Sequence, residues 1–445
     1  MTTELLSLLD DCIRRARSAG ADAADALAYD SQSLSIARRL DKPERLERSE
    51  SRDLGLRVFV GKRQAMVSTS ERTPEALAEL VERAVAMARA VPEDPYCGLA
   101  DSSQLAHDWA DYDLADPVEP SVDRLIAMAS EAEAAAVAVK GVTNSEGAEA
   151  GWGRSDIALV ASNGFAASYA RTSHSLSVSV LAGEGAGMER DYDYTSAVHA
   201  GDLKSGAVIG RSAGERAVRR LNPRKGATAT LPVVFDPRVS SGFVSGLAGA
   251  ISGPSVARGT SFLRDQMGAQ LFAAGIEIVD DPFLVRGVRS RPFDGEGVAP
   301  SRRTIIEDGR LTTWFLDLRS SRQLGLTTTG HAARGTGGPP TPSPSNLAMM
   351  PGKLTPEQLI GEIENGFYVT EMMGSGLNGV TGDYSRGAAG FWIENGKLTY
   401  PVSEMTVAGN MKEMFPRMTP ANDLVRRYGI DAPTIRIDGM TVAGL

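Results

Sequence analysis

Cysteine is almost absent from this 445-residue chain: Cys12 and Cys97 are the only two. Two cysteines cannot build the multi-bridge framework of a small secreted domain, so they read as reduced, buried thiols. Cys12 falls among the apolar positions of a helix, which fits that reading. Long hydrophobic runs are missing too. No segment approaches the ~18 uninterrupted apolar residues of a membrane span. The first residues, Met1-Thr-Thr-Glu-Leu-Leu, lack a basic start, and Asp10 and Asp11 break the apolar stretch that a secretion signal requires. Positive charge is not in excess. A net charge of −9 and a pI near 5.2 argue against an electrostatic binder of nucleic acid or of anionic membranes. A cytoplasmic globular protein is expected. Its 42% apolar and 23% charged residues suit a chain that buries a sizeable core, and its length suits two or three domains.

The order of the elements can be read from punctuation. Leu5, Leu6, Leu8, Leu9, Cys12, Ile13 and Ala16 form one helical face, and Gly20 suits its C-terminal cap. Strand-like runs follow at 26–29, 34–38, 54–60 and 64–68, the last two joined at Gly61-Lys62. Thr73 caps a helix with Pro74 at its first position, running to about Val91. Residues 92–116 read as a loop, and Ser121 starts a helix reaching about Lys140. Strands at 156–161 and 165–172 flank the turn Ser162-Asn163-Gly164, a further run spans 175–181, and a helix near 203–221 ends at Asn222-Pro223. A second unit opens with a strand at 228–235 and a helix from Asp236-Pro237 to about Ile251. Glu307-Asp-Gly-Arg310 and Glu394-Asn-Gly-Lys397 read as hairpin turns, and 335–344 as an extended loop. The expected fold is α+β: an N-terminal α+β domain with a mixed sheet over 1–225, then a β-rich domain over 226–445.

Chemistry-bearing residues are sparse. Histidine occurs four times, at 107, 174, 199 and 331. None is followed by Glu, and no two are five residues apart. His107 lies among carboxylates and reads as a solvated loop residue; His174 and His199 read as structural or exposed. His331 follows Leu326-Thr-Thr-Thr-Gly330 beside a Gly-rich loop. Two readings of it stand, a loop histidine bonded to backbone or a residue on the wall of a substrate cavity. The segment Gly382–Gly390 lacks the Lys and the spacing of a phosphate-cradling loop. Asp383, Tyr384, Ser385 and Arg386 have no His or Lys base nearby, so Ser385 is not expected to be a nucleophile. Arg386 offers a fork suited to a carboxylate, or to an internal ion pair.

Gly382-Asp-Tyr-Ser-Arg-Gly-Ala-Ala-Gly390-Phe-Trp-Ile-Glu-Asn-Gly396, followed by Tyr400-Pro-Val-Ser-Glu-Met-Thr-Val-Ala-Gly-Asn410, resembles the C-terminal signature of the TldD/PmbA family. Arg291-Pro-Phe-Asp-Gly-Glu-Gly297 and Gly325-Leu-Thr-Thr-Thr-Gly-His331 extend the resemblance in order. The family's members are cytoplasmic subunits of a bacterial peptide-cutting metalloprotease. The catalytic branch carries a zinc motif, His-Glu-x-x-x-His, and a further Cys ligand near the C-terminus. Here Arg258-Gly-Thr-Ser261 is similar to the segment after that motif. Counting back without gaps puts the missing histidines at Val244 and Gly249 and the missing general base at Ser245, and no Cys follows Cys97. The resemblance therefore implies the metal-free PmbA (TldE) branch, with no catalytic residue and no metal of its own. It implies zinc in a TldD-like partner subunit, a heterodimer around an enclosed cavity, and a possible homodimer when isolated. Unfolded peptides would be processed or degraded there, including leader removal from peptide antibiotics, without nucleic acid or membrane as partner. His331, Asp383, Tyr384, Ser385 and Arg386 become substrate-cavity candidates. The alternatives are a stand-alone hydrolase without zinc and a protein-binding regulator of the DNA-gyrase-modulator kind.

Overall fold

Four unusually long strands build the N-terminal unit of the computed structural model, which describes residues 2–444. Ala23–Arg39, Lys42–Val60, Val142–Ala161 and Ala166–Ala182 carry 17, 19, 20 and 17 residues. At about 3.3 Å per residue the longest reaches roughly 65 Å. With Arg63–Thr69 and Glu189–Ala197 at the two edges they form one six-stranded sheet. All of its pairings are antiparallel, because short turns join most of its neighbours and a short turn can only reverse the chain. The mixed pairing expected there lies instead in the C-terminal unit. In that unit Ala229–Phe235 runs parallel to Asn365–Met373, and Asn346–Met349 parallel to Ile430–Asp431.

The period of two decides what each face of the long sheet meets. Even positions of Ala23–Arg39 face helices. Ala24, Ala26 and Ala28 pack with helices Thr2–Ser18 and Pro74–Ala90 at one end. Leu34 and Ile36 pack with helices Val122–Val137 and Gly206–Arg219 at the other. Odd positions face the C-terminal unit: Leu27, Tyr29, Ile157 and Leu159 meet Phe293, Val298 and Leu318. Phe293 is the hub of that contact, with ring centroids 5.1 Å from Phe165, 5.2 Å from Tyr169 and 5.6 Å from Trp109. Burying such a ring contributes about 1.5–3 kcal/mol.

The C-terminal unit is organised around a closed barrel. Its circuit runs Lys397–Asn410, Asp383–Glu394, Asn365–Met373, Ala229–Phe235 and Ile435–Ala443. Pairing of Thr406–Ala408 with Thr441–Ala443 closes the ring. A smaller five-stranded sheet includes Ile278–Asp281 and Asn346–Met349. Helix Pro237–Ala250 packs against barrel strands and this smaller sheet. Both expected hairpin turns form with positive φ at their two central residues, Asp308-Gly309 and Asn395-Gly396, as the type I′ geometry requires. Gly390 sits at a bulge in both of its strand's pairings. A Cβ there would lie 1.9 Å from the Tyr368 carbonyl oxygen, whereas one at Gly387 would meet nothing nearer than 3.4 Å.

A buried set of four charges ties the two units together. Arg57 and Asp25 are directly opposite on neighbouring strands. Arg57 donates to Asp25 through Nε at 3.0 Å and through Nη2, and Nη1 reaches Glu296 at 3.4 Å. Arg334 donates to the other oxygen of Asp25 at 2.7 Å. Asp25 and Arg57 belong to the long sheet, Glu296 and Arg334 to the C-terminal unit, and all four are buried. The arginines hold the Asp25 carboxyl below the ordinary carboxylate range against the opposing effect of burial.

Three substitutions test these features. Asp25→Asn leaves two buried guanidinium groups short of a charge and should lower the unfolding free energy by about 3–5 kcal/mol; a loss under about 1 kcal/mol in urea titration would contradict the role given to the quartet. Gly390→Ala forces the barrel backbone apart and should cost about 1–3 kcal/mol, while Gly387→Ala should stay within about 0.5 kcal/mol. Equal midpoints for the two variants would contradict the geometry.

Candidate functional site

Helix Pro237–Ala250 presents a face without large side chains to a cavity of about 570 Å³. Asp236 caps the helix by accepting from the Arg238 N–H and is itself held by the Tyr368 hydroxyl at 2.8 Å. Phe243, Val244, Leu247 and Ala250 turn into the core. Gly242, Ser245, Gly246 and Gly249, at helical spacing i, i+3, i+4 and i+7, line the cavity. A Cβ at Gly242 or Gly249 would meet nothing within 4 Å, so a longer side chain there would project into open space. The rest of the wall includes Ser255, Thr260, Phe262, the 374–379 loop, Tyr384, Arg386 and Met411.

This geometry distributes the expected residues unevenly. Gly249 and Ser245 line the cavity, but Val244 is 1% exposed and lies in the core. Residues five apart on a regular helix are separated by about 140° around its axis, and here positions 244 and 249 lie on different faces, while Ser245 and Gly249 share the cavity face. Tyr384 and Arg386 reach the cavity, whereas Asp383 and Ser385, at the alternate strand positions, are exposed. Asp383 is engaged with the Thr381 hydroxyl at 2.6 Å and the Asn410 amide at 2.9 Å.

His331 is not on the wall. It is 2% exposed, with its ring 4.5 Å from that of Phe315. Its Nδ1 lies 2.8 Å from the Thr329 hydroxyl and its Nε2 3.1 Å from the Asp280 carboxylate. Burial pushes its pKa down against the pull of Asp280. The sequence reading that bonded it to backbone missed these side-chain partners, because Asp280 is 51 residues away.

The cavity's chemistry is narrow. Arg386 makes no ion pair among the described residues, and its Nε is buried without an acceptor. Burial pushes the Tyr384 phenol up to about 12, with Arg386 acting in the opposite sense, so it stays protonated near neutral pH. Among the described residues no His, Cys, Asp, Glu or Lys lines the wall. Among the described residues no group of three or more His, Cys, Asp or Glu is placed to hold a metal ion. A zinc centre therefore does not fit these residues. The wall can bind, through a guanidinium and hydroxyls; it has no side chain to activate water.

A pair of histidines escaped the sequence reading. His174 and His199 converge on Asp116, at 3.4 and 3.9 Å, and His199 lies 3.1 Å from Asp113. These contacts join a strand, a turn and the 92–116 loop, and no spacing along the chain announces them. His107 is exposed. Cys12 and Cys97 are free and buried, and burial pushes the Cys12 thiol up to about 11.

Comparison with known proteins gives one consistent answer. Models of the PmbA/TldA metallopeptidase domain 1, central domain and C-terminal domain match residues 24–88, 115–221 and 228–444. Metalloprotease PmbA of Escherichia coli O157:H7 is 40% identical over 429 residues, covering 96% of this chain and 93% of its own. A metalloprotease TldD homologue of Haemophilus influenzae is more distant, 24% identical with 65% of each chain covered. A crystal structure from Bacteroides thetaiotaomicron, described as a candidate modulator of DNA gyrase, superposes with a TM-score of 0.90 at 30% identity, covering 99% of this chain and 98% of the other. TldE from Thermococcus kodakarensis superposes with a TM-score of 0.86 at 21% identity, covering 98% and 100%.

The buried histidine generates a pH prediction. A histidine whose folded pKa lies below its unfolded value of 6.5 contributes stability that is present above pH 6.5 and is lost as pH falls. His174 is shifted in the same direction by burial. The histidine part of the unfolding free energy, read from thermal melts, should therefore fall as pH drops from about 7.5 to about 5.5, with a slope of at most about 1.4 kcal/mol per pH unit for each group, against an opposite contribution from Asp294 and Glu296, whose carboxyls burial raises to about 6 and about 7. His331→Gln should flatten that slope; an unchanged slope would show that His331 does not titrate in this way.

Proposed function

The chain belongs to the PmbA/TldD metallopeptidase family, and from that premise we propose that it is the metal-free subunit of a two-subunit peptidase, paired with a zinc-bearing TldD-like chain. The observation that carries this reading is the wall of the cavity beside helix Pro237–Ala250. Where a peptidase would need metal ligands and a general base, the helix offers Ser245 and Gly249. A catalytic zinc requires about three protein ligands and an open position, and this face supplies none. No bond-breaking step is assigned to the chain. The greater identity to a PmbA-named relative than to a TldD-named one supports the same side of the pair.

In this reading the subunit works in the cytoplasm, closes a peptide chamber and holds substrate. Gly374 and Gly379, beside which a Cβ would meet nothing within 4 Å, leave part of one wall free of side chains, whereas Gly376 is pressed against the Ser385 carbonyl. An extended peptide bonded through its own main chain is held without regard to its sequence, and only an unfolded chain can offer its backbone that way. Arg386, free of a carboxylate partner, adds a fork for a peptide carboxylate. Leader segments and unfolded peptides are the substrate class.

The test is reconstitution. This chain and the zinc-bearing homologue from the same genome should co-purify, and the pair should cleave an unfolded peptide that this chain alone leaves intact. Cleavage by this chain alone would overturn the proposal. Ser385→Ala, at an exposed position off the cavity, should leave the pair within about twofold of full activity. If the variant assembled with its partner and held zinc but cut nothing, the non-catalytic reading would have to be abandoned.

A further inference from the structure

A second cavity, of about 250 Å³, lies at the junction of the long sheet with the C-terminal unit. Four arginines line it: Arg171 from strand Ala166–Ala182, Arg289 and Arg291 from the loop before Phe293, and Arg334. The first three bond only to carbonyl oxygens. Arg171 donates to Val288, Arg291 to Ser343 at 3.0 Å and Arg289 to Pro344 at 3.4 Å. None has an ion pair among the described residues. Each guanidinium carries five N–H groups, so most of them remain for another acceptor. Arg334 has a side chain with no exposed surface. It gives Nη1 to Asp25, yet its Nε and Nη2 are buried without acceptors, as is Nε of Arg291.

Among the described residues the one carboxylate lining this wall is Asp294, against four arginines. Asp294 turns its oxygens inward, accepting from the backbone N–H groups of Glu296, Val298 and Ala332. Two phenols complete the wall, Tyr29 and Tyr169. Burial pushes Tyr169 up to about 12, so it remains protonated and able to donate. Burial and Arg291 push the Arg289 pKa down and Arg171 adds to them, against the opposing pull of Asp280 and Asp431. Buried donors left without acceptors cost about 1–3 kcal/mol each, more when charged, a cost that a bound acceptor relieves.

We propose that this cavity binds a small oxyanion, a carboxylate or a phosphate, held by Arg171 from one domain and Arg289, Arg291 and Arg334 from the other. Guanidinium forks match both groups, which share the paired oxygens the forks recognise. A free phosphate and the C-terminal carboxylate of a peptide are the two sources. Because the arginines come from both units, the anion would also brace the domain junction.

The experiment is titration calorimetry of the full-length chain in low-chloride buffer. The probes are inorganic phosphate and two pentaglycine peptides, one ending in a free carboxylate and one in an amide. Saturable 1:1 binding of phosphate, of the free-acid peptide or of both is expected, with the amide peptide at least tenfold weaker than the acid. Tighter binding of phosphate identifies the free ion as the source; tighter binding of the acid peptide identifies a chain terminus. Arg171→Gln and Arg289→Gln should each weaken the bound anion at least tenfold; Arg14→Gln, at an exposed position of helix Thr2–Ser18 outside both cavities, should leave it unchanged, and Arg386→Gln reports any binding in the other cavity. Thermal melts report whether each variant is folded. Arg289, held through its side chain by a single long bond, carries the test if Arg171→Gln does not fold. No saturable binding of either anion would overturn the proposal. So would binding that survives both substitutions, or binding lost only with Arg386.

Discussion

Parity along the long sheet is the constraint on which the rest of the molecule depends. Asp25 and Arg57 face each other across neighbouring strands, and both lie on the odd face, toward the C-terminal unit. The even face of the same strand carries Ala24, Ala26 and Ala28 into a helical core. A slip of one residue would drive a carboxylate into alanines and leucines and turn the apolar set toward Arg334 and Glu296. Burying an unpaired charge is far more costly than losing a contact, so the register is locked by what the wrong one would bury. The same choice of face aligns Leu27 and Tyr29 with Phe293 and fixes where the arginine-lined cavity can exist.

A net attraction need not be claimed for the quartet to have this effect. Two arginines and two carboxylates removed from water gain roughly what they lose, and replacing such a set by hydrophobic residues of equal volume is often neutral or stabilising. Their particular contribution is geometry. Arg57 reaches Asp25 in its own domain and Glu296 in the other, while Arg334 reaches back to Asp25. Any rotation of one unit on the other lengthens at least one of these bonds. Glu296 also accepts from the Leu318 N–H at 2.8 Å, at the start of helix Leu318–Gln323, so the constraint continues into the C-terminal unit.

The order of elements was legible in the chain wherever local chemistry decides it. Thr73 with Pro74, Ser121, and Asp236 with Pro237 each start a helix within one residue of the expected place, because a cap and an N1 proline act over one turn. Asn395-Gly396 turns where it should for the same reason. The strands were recovered only in pieces. Ser31, Gln32 and Ser33 interrupt the apolar alternation of Ala23–Arg39, and Gly147, Gly151 and Gly153 weaken that of Val142–Ala161, yet pairing with neighbours carries both strands through. Tertiary contact overrides local preference in a sheet more readily than in a helix. What stayed hidden was every partnership across long separations: Asp25 with Arg334, His331 with Asp280, His174 with Asp116.

The candidate site was legible in a different way, through resemblance, and the structure refines what that can carry. Alternation along Asp383–Glu394 sorts four adjacent polar residues into two on the cavity and two off it. The helical period does the same to Val244 and Gly249. A linear motif compresses residues that the fold then separates by face, so membership in a signature is weak evidence for a place on the wall. The wall itself is the stronger statement. Helix Pro237–Ala250 keeps its cap, its buried apolar face and the open space beside Gly242 and Gly249, all that is needed to present side chains to a substrate, while presenting none that could bind a metal or take a proton. Binding needs only a guanidinium, hydroxyls and uncovered backbone. Catalysis needs a base or a metal as well, and in the pairing proposed above those belong to the partner subunit.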